Sequence, residues 1–194
     1  MKNIILASSS KHRKKLLEQL KIKFKTISPD IDESRQKDET VSRYVKRLSL
    51  EKAMKIAQKH KNSIVIGSDE VAEVNGKILG KPLTRETARK QLKYISNKLV
   101  TFKTGLCVID SQSLEKIVSV TSYKVYIKKL TLEEIDYYIK SEDILNCAAS
   151  IRIEGLAISL VKKMIGQDPT SIIGLPLIKL TDCLERLNYK VLRK

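Results

Sequence analysis

Large aromatic side chains are scarce in this chain of 194 residues: tryptophan is absent and aromatic residues make up 5% of the sequence. Proteins that hold single-stranded nucleic acid without base specificity stack successive bases on such rings. The composition therefore offers few stacking surfaces for that class of ligand.

Zinc-binding motifs and membrane-spanning runs are also missing. The two histidines are isolated, and the three cysteines (Cys107, Cys147 and Cys183) form no Cys-x-x-Cys pair, so we expect no zinc site and reduced, mostly buried thiols. Every apolar run is far shorter than the roughly 20 residues that cross a bilayer. The apolar stretch at the N-terminus is too short for a secretory signal, so we expect a cytoplasmic protein without membrane contact.

Positive charge is abundant: 38 lysines and arginines against 22 acidic residues give a net charge of +16. Such a balance attracts polyanions, and nucleotide phosphates or nucleic acids are natural partners. Most of the basic residues are lysines scattered along the chain, however, which a genome-wide lysine bias explains equally well. We therefore expect no specific nucleic-acid binding.

The pattern of apolar residues predicts a single α/β domain over residues 1–194. Helices and strands alternate early, and adjacent strands in the middle of the chain favour antiparallel pairing, so the sheet should be mixed. Asn75-Gly76 predicts a tight hairpin turn after the strand that begins near Ile64. Thr40, Thr84 and Thr131 predict helix starts, and "SIRIEGLAISLV" alternates as a strand would, with a change of parity at Glu154-Gly155.

Polar residues gather at the ends of predicted strands in four places. Ser8-Ser9-Ser10 with Arg13 opens a helix, which suits either an anion site or a simple helix cap. Asp30, Asp32 and Glu33 suit a hard divalent cation or a solvated turn.

The other two places are an acidic pair and two lysines. Asp69 and Glu70 follow a buried strand and should point to opposite faces, which argues for different roles. Lys52 on a helix and Lys81 after the hairpin are point charges suited to phosphate. The residues alone thus indicate phosphate and metal chemistry, and no more.

An ordered set of motifs resembles the Maf-like family of nucleoside triphosphate pyrophosphatases over nearly the whole chain. The motifs are "ILASSSKHRKKLL", "PDIDES", "EKA", "VIGSDEV", "GKILGKPLTRETA", "TGLCV", "EG" and "IIGLPL". Within the family, "GSDEV", "ILGKPLT", "NCAAS" and "GQDPTSIIGLPLI" are most similar to the branch that hydrolyses 7-methyl-GTP.

The resemblance implies an elongated mixed sheet flanked by helices, with a deep cleft between two lobes, related to inosine triphosphatases. It implies hydrolysis of the α–β phosphoanhydride of a nucleotide to the monophosphate and pyrophosphate, with Mg²⁺, Mn²⁺ or Co²⁺ as the divalent cofactor. By motif, Asp69 is the proton acceptor, and Glu33 and Asp69 hold the metal. The remaining residues bind phosphate (Ser8, Arg13, Lys52 and Lys81) or tune base specificity (His12, Glu70 and Glu154).

Four positions depart from the branch. It typically has tryptophan, glutamine, proline and glycine where this chain has His12, Glu70, Lys11 and Ala149. Glu70 and Glu154 could accept hydrogen bonds from the guanine edge and favour a cationic methylated base. Alternatively, Glu70 adds a negative charge beside Asp69 and weakens catalysis.

Three functions therefore stay open. The first is an active pyrophosphatase for 7-methyl-GTP or for dTTP, UTP or another modified nucleotide. The second is a catalytically weak nucleotide-binding member linked to cell division, and the third is a basic nucleic-acid binder. Dimerisation is common in related proteins, so a homodimer is an expectation that rests on the resemblance.

Overall fold

A computed structural model describes residues 2–192. Within that range the chain forms seven strands, in the sheet order β2-β1-β3-β5-β6-β7, with β4 paired to β3. The strands are β1 (Asn3–Ala7), β2 (Phe24–Ile27), β3 (Ser63–Val74), β4 (Lys77–Leu79), β5 (Leu99–Asp110), β6 (Lys116–Ile127) and β7 (Val161–Ile165). β1 pairs parallel to β2 and β3, whereas β3–β4 and β6–β7 are antiparallel. The mixed sheet predicted from the sequence is confirmed.

Five α-helices flank these strands within the same residues. They are α1 (Lys11–Glu18), α2 (Val41–Ala57), α3 (Arg85–Ile95), α4 (Leu132–Ser141) and α5 (Leu177–Arg186). The side chains of Thr40, Thr84 and Thr131 cap α2, α3 and α4, each accepting a hydrogen bond from the backbone three residues on. The predicted helix starts are confirmed because each depends on residues adjacent in sequence.

The chain divides into two compact units, and β3, β5 and β6 contribute residues to both. The first unit contains the chain up to Glu70, Thr104–Thr121 and the chain from Asp168 onward. Alternate side chains of its strands serve two cores: Ile4 and Ile64 pack with α1 and α5, and Ile5 and Val65 pack with α2. Both faces of the sheet are therefore covered in this unit.

The second unit contains Val71–Lys103 and Ser122–Gln167. Its hairpin turns at Asn75-Gly76, where both residues have positive φ and Val74 faces Lys77, as predicted. The strand predicted for "SIRIEGLAISLV" is wrong. Residues 153–155 form a turn, Leu156–Leu160 is a 3-10 helix, and the strand β7 begins only at Val161.

Two further expectations concern thiols and membranes. All three cysteines are free; Cys107 and Cys183 are buried and Cys147 is half-buried, which confirms reduced, mostly buried thiols. Burial raises the pKa of the Cys107 thiol to about 12. Among residues 2–192, no helix combines the length and apolar character needed to cross a membrane.

Candidate active site

The serine-rich turn after β1 leads into the N-terminus of α1. Ser10 caps the helix by accepting a hydrogen bond from the backbone N–H of Arg13, and the buried Ser8 accepts one from the N–H of Ser10. His12 is half-buried in the first turn of the helix. Because the first N–H groups of a helix have no partner within it, this turn can bind an anion.

Arg13 is held by the loop that precedes α5. Its Nε donates to the Gly174 carbonyl at 2.8 Å, and Ser68 Oγ lies 2.9 Å from the same oxygen. Gly174 has φ +106°, a conformation that side chains rarely adopt. The bond through Nε fixes the guanidinium against this loop.

Asp168 organises this loop and was missed in the sequence. Its buried carboxylate accepts from Thr170 Oγ1 at 2.7 Å and from the backbone N–H groups of Thr170, Ile178 and Lys179. It therefore ties the loop to the first turn of α5. The signal in the sequence was an aspartate followed by Pro-Thr shortly before a helix, a pattern typical of a cap.

The centre of the site is a buried lysine between two carboxylates. Lys52 Nζ lies 2.6 Å from Asp69 Oδ1 and 2.8 Å from Glu33 Oε1. The side chains of Lys52 and Asp69 are 5% and 10% exposed, whereas that of Glu33 is 58% exposed. The structure thus brings Glu33, Lys52 and Asp69 together from three separate segments.

Two glycines allow α2 to approach the sheet closely enough for this contact. A Cβ on Gly67 would lie 2.2 Å from the Ser49 carbonyl oxygen, and one on Gly105 would lie 2.1 Å from the Val45 carbonyl oxygen. Both distances are impossible for a real side chain, so only glycine permits this packing. The close approach sets the distance between Lys52 on α2 and Asp69 on β3.

Tyr44 borders the same cluster. Its hydroxyl donates to the Glu33 carbonyl at 2.7 Å. Burial raises the pKa of the Tyr44 phenol, and the negative charges of Asp69 and Glu33 raise it further. The phenol therefore stays protonated and able to donate throughout the neutral range.

The donor set fits a divalent cation that arrives with other ligands. The Lys52 ammonium lies between the two carboxylates, so their oxygens are no further apart than the sum of its two contact distances. Among residues 2–192, no group of three or more His, Cys, Asp or Glu side chains could hold a metal. Two carboxylates with substrate phosphates and water are a common ligand set for Mg²⁺.

The acidic residues near Glu33 have different roles. Hydrogen bonds from the Ser34 side chain and from its backbone N–H, the latter at 2.9 Å, lower the pKa of the Asp32 carboxyl group. Asp30 is exposed with φ +42°. Of the three carboxylates grouped in the sequence, Glu33 is the one that contacts Lys52.

Two predicted site residues, Lys81 and Glu154, belong to the second unit. Lys81 is exposed just after the hairpin. The Glu154 carboxylate lies 3.8 Å from Arg152 Nε, and Arg152 also pairs with Glu142 at 2.8 Å. Glu70 is half-buried and ends the first segment of the first unit. The roles assigned to the site residues stay predictions, namely those of Glu33, Asp69, Ser8, Arg13, Lys52, Lys81, His12, Glu70 and Glu154.

Comparison with known proteins gives a consistent result. The chain is 45% identical over 184 residues to the 7-methyl-GTP pyrophosphatase of Pseudomonas aeruginosa, covering 95% of this chain and 96% of that protein. It is 42% identical over 192 residues to the protein of the same name from Colwellia psychrerythraea, covering 99% and 96%.

Among solved structures, the Staphylococcus aureus Ham1 protein matches with 20% sequence identity, and the match covers 66% of this chain and 73% of the Ham1 chain. Its TM-score of 0.46 is too low to support an argument. The family described as Maf-like protein matches residues 3–187. Because that match spans nearly the whole sequence, the chain belongs to the Maf-like family.

Proposed function

We propose that the protein is a nucleoside triphosphate pyrophosphatase whose preferred substrate is 7-methyl-GTP, cleaved between the α and β phosphorus atoms. The observation that carries the proposal is similarity over more than nine-tenths of the chain to proteins named 7-methyl-GTP pyrophosphatase. The geometry supports it, because Glu33, Lys52 and Asp69 converge in the first unit, and Ser68, adjacent to Asp69 in sequence, shares the Gly174 carbonyl with the Arg13 guanidinium.

Asp69 is the group that orients the attacking water and accepts its proton. Its carboxylate is almost buried on a rigid strand, and the contact with Lys52 holds one oxygen in place. A base held in this way loses little freedom when the substrate binds, and general base catalysis of this kind contributes about 10²–10⁴-fold to rate.

The phosphates bind at the N-terminus of α1. The guanidinium of Arg13 offers its outer nitrogens, and Ser8 and the positive end of the α1 dipole add to the attraction for phosphate. Lys52 and Lys81 complete the proposed cationic set. A divalent cation held by Glu33 and Asp69 would neutralise charge on the phosphate oxygens when bound.

Base selection is assigned to His12, Glu70 and Glu154. His12 offers a ring for stacking, smaller than indole. The carboxylates of Glu70 and Glu154 would accept hydrogen bonds from a guanine edge, and their negative charge favours a methylated base that carries a positive charge. These proposed contacts are consistent with the similarity to proteins named 7-methyl-GTP pyrophosphatase, which is the reason to place 7-methyl-GTP ahead of dTTP and UTP.

A panel of canonical and modified triphosphates, assayed for pyrophosphate release with Mg²⁺, Mn²⁺ or Co²⁺, tests the proposal. We expect kcat/KM to be highest for 7-methyl-GTP and Asp69→Asn to lower kcat by about 10²–10⁴-fold. The matched control is Glu73→Gln, which changes a half-buried carboxylate on the same strand and should retain activity. Full activity in a folded Asp69→Asn protein would refute the role of Asp69.

The second candidate is a nucleotide-binding protein with little catalysis, favoured by the departures at His12 and Glu70. It predicts nucleotide binding by calorimetry without pyrophosphate release from any triphosphate in the panel. Cytoplasmic location, dimerisation and the lack of specific nucleic-acid binding remain predictions from the sequence.

A further inference from the structure

Glu33 lies in a stretch that has neither helix nor strand, residues 28–40 between β2 and α2, here called the acidic loop. Its side chain is 58% exposed, so packing alone does not fix the position of the carboxylate. A loop of this length is mobile unless side chains anchor it. Something outside the loop must therefore place Glu33 at Lys52.

Arg47 on α2 contacts this loop at two places, Glu39 and Ser34. Its Nε and Nη2 form a two-pronged contact with the buried Glu39 carboxylate at 2.8 and 2.9 Å, and Nη1 lies 3.1 Å from Glu51. The hydrogen bonds to Glu39 raise the pKa of Arg47 and lower that of Glu39. Both groups stay charged at neutral pH, and the guanidinium is locked in one orientation.

The same guanidinium reaches the backbone next to Glu33. Nη2 donates to the Ser34 carbonyl at 2.9 Å, and the neighbouring Tyr44 hydroxyl donates to the Glu33 carbonyl. Arg47 also lies over the Tyr44 ring, 5.6 Å from its centroid. Two consecutive carbonyls of the loop are thus bound to adjacent turns of the helix that carries Lys52.

We infer that Arg47 is a positioning residue that sets the location of the Glu33 carboxylate by holding the acidic loop on α2. It acts through the backbone of Ser34 and through Glu39 rather than on substrate. Its effect on catalysis rests on the proposed function, whereas its effect on the loop does not. Lysine at this position keeps the charge but cannot form the two-pronged planar contact, so it should not replace Arg47 in holding the loop.

Hydrogen exchange on the metal-free protein tests the anchoring without any activity assay. Arg47→Lys should speed amide exchange in peptides covering residues 29–40 and leave peptides from β3 and β4 unchanged. The matched control is Arg43→Lys, an exposed arginine one turn earlier on α2, which should exchange as the wild type does. Unchanged exchange in the acidic loop of a folded Arg47→Lys protein overturns the inference.

A double-mutant cycle with Glu33→Gln tests the link to Glu33. Alone, Arg47→Lys should lower kcat by about 10–100-fold, as expected for a displaced catalytic group, with a smaller change in KM. Added to Glu33→Gln it should cost no further activity, because the group that it positions is already lost. If the two losses multiply, Arg47 acts by another route and the inference fails.

The wild-type assay separates the two claims. If the wild-type protein releases no pyrophosphate from any nucleotide, the proposed function is overturned, and the exchange measurement alone decides whether Arg47 holds the loop. If Arg47→Lys does not fold, Tyr44→Phe takes its place, because it removes the adjacent anchor. It should speed amide exchange in residues 29–40 as well, by a smaller factor.

Discussion

The acidic loop of the first unit and residues 148–160 of the second unit are both irregular segments held by side chains, but the anchoring side chains differ. Each lacks strands and α-helix, and each carries a residue assigned to the site, Glu33 or Glu154. Side chains from one nearby helix anchor each stretch. In the acidic loop the anchors are the partly exposed Arg47 and Tyr44.

In residues 148–160 one anchor is buried and the other is half-buried. Tyr138, which is 1% exposed, donates to the Ser150 carbonyl and accepts from the Arg152 N–H, both at 3.1 Å. Glu142, just after α4, accepts from the Leu156 N–H at 2.6 Å. Ala149, Ser150 and Ala157 of this segment are themselves buried, whereas most of the acidic loop is exposed.

The backbones differ in the same sense. Positive φ in the acidic loop falls on Asp30 and Asp38, and aspartate tolerates the left-handed region comparatively well. In residues 148–160 it falls on Ala149 and Ser150, at +52° and +60°. In residues 148–160, a buried hydrogen bond from Tyr138 helps to hold a backbone conformation that alanine and serine adopt at a cost. In the acidic loop, the charged Arg47 helps to hold a backbone that its aspartates adopt more easily.

The largest effect on stability should come from substituting Lys52, which contacts Glu33 of the acidic loop and Asp69 of β3. Lys52→Met removes the partner of the buried Asp69 and should lower the free energy of unfolding by about 3–5 kcal/mol, because the carboxylate is left without its cation. Chemical denaturation measures the change. Lys55→Ala, on the exposed side of the same helix, should stay within about 0.5 kcal/mol of the wild type.

A second substitution distinguishes loss of the ion pair from loss of packing. Asp69→Asn added to Lys52→Met should recover part of the lost stability, since a neutral amide costs less to bury than an unpaired carboxylate. A double variant less stable than Lys52→Met would mean that the aliphatic part of Lys52, not its charge, supports this unit.

A matched pair of tyrosine substitutions compares the two regions directly. Tyr138→Phe should lower the free energy of unfolding by about 1–3 kcal/mol, because it removes the partner of the buried Ser150 carbonyl and of the partly buried Arg152 N–H. Tyr44→Phe should cost less than about 1 kcal/mol, since water can replace the hydroxyl at the exposed Glu33 carbonyl. Denaturation curves of the two variants measure both values, and equal losses would contradict the distinction between a buried and a surface anchor.

Much of this architecture follows from local sequence. The caps at Thr40, Thr84 and Thr131 and the Asn75-Gly76 turn were predicted because each depends on a few adjacent residues. The strand prediction over residues 150–161 failed for the opposite reason. Apolar alternation there coincides with a backbone shaped by hydrogen bonds to Tyr138 and Glu142, which neighbouring residues do not reveal.

The site divides along the same line. Glu33, Lys52 and Asp69 were picked out as candidates, but their contact depends on α2 approaching the sheet at Gly67 and Gly105. Lys52 was assigned to phosphate, and the structure gives it two carboxylate partners. Arg47 binds the carbonyl of Ser34, and Asp168 binds the N–H of Ile178. Each contact joins residues ten or more positions apart, so residue type and spacing could not predict it.

The smallest effect concerns Ala149, where the related branch typically has glycine. Ala149→Gly relieves a left-handed backbone that costs a non-glycine residue about 1 kcal/mol or more. It also removes a fully buried methyl group worth about 0.8 kcal/mol and adds freedom to the unfolded chain worth about 0.4–1 kcal/mol. These terms nearly cancel, so the free energy of unfolding should change by less than about 1 kcal/mol.

Leu83→Gly is the matched control, because Leu83 has φ +61° but is 67% exposed and buries little on folding. It should gain more stability than Ala149→Gly, since the strain is relieved without the loss of a buried group. A loss above about 2 kcal/mol in Ala149→Gly would mean that the methyl group fills a position that strain alone does not describe. In that case the packing of the Ala149 methyl group stabilises the second unit by more than the strained backbone costs.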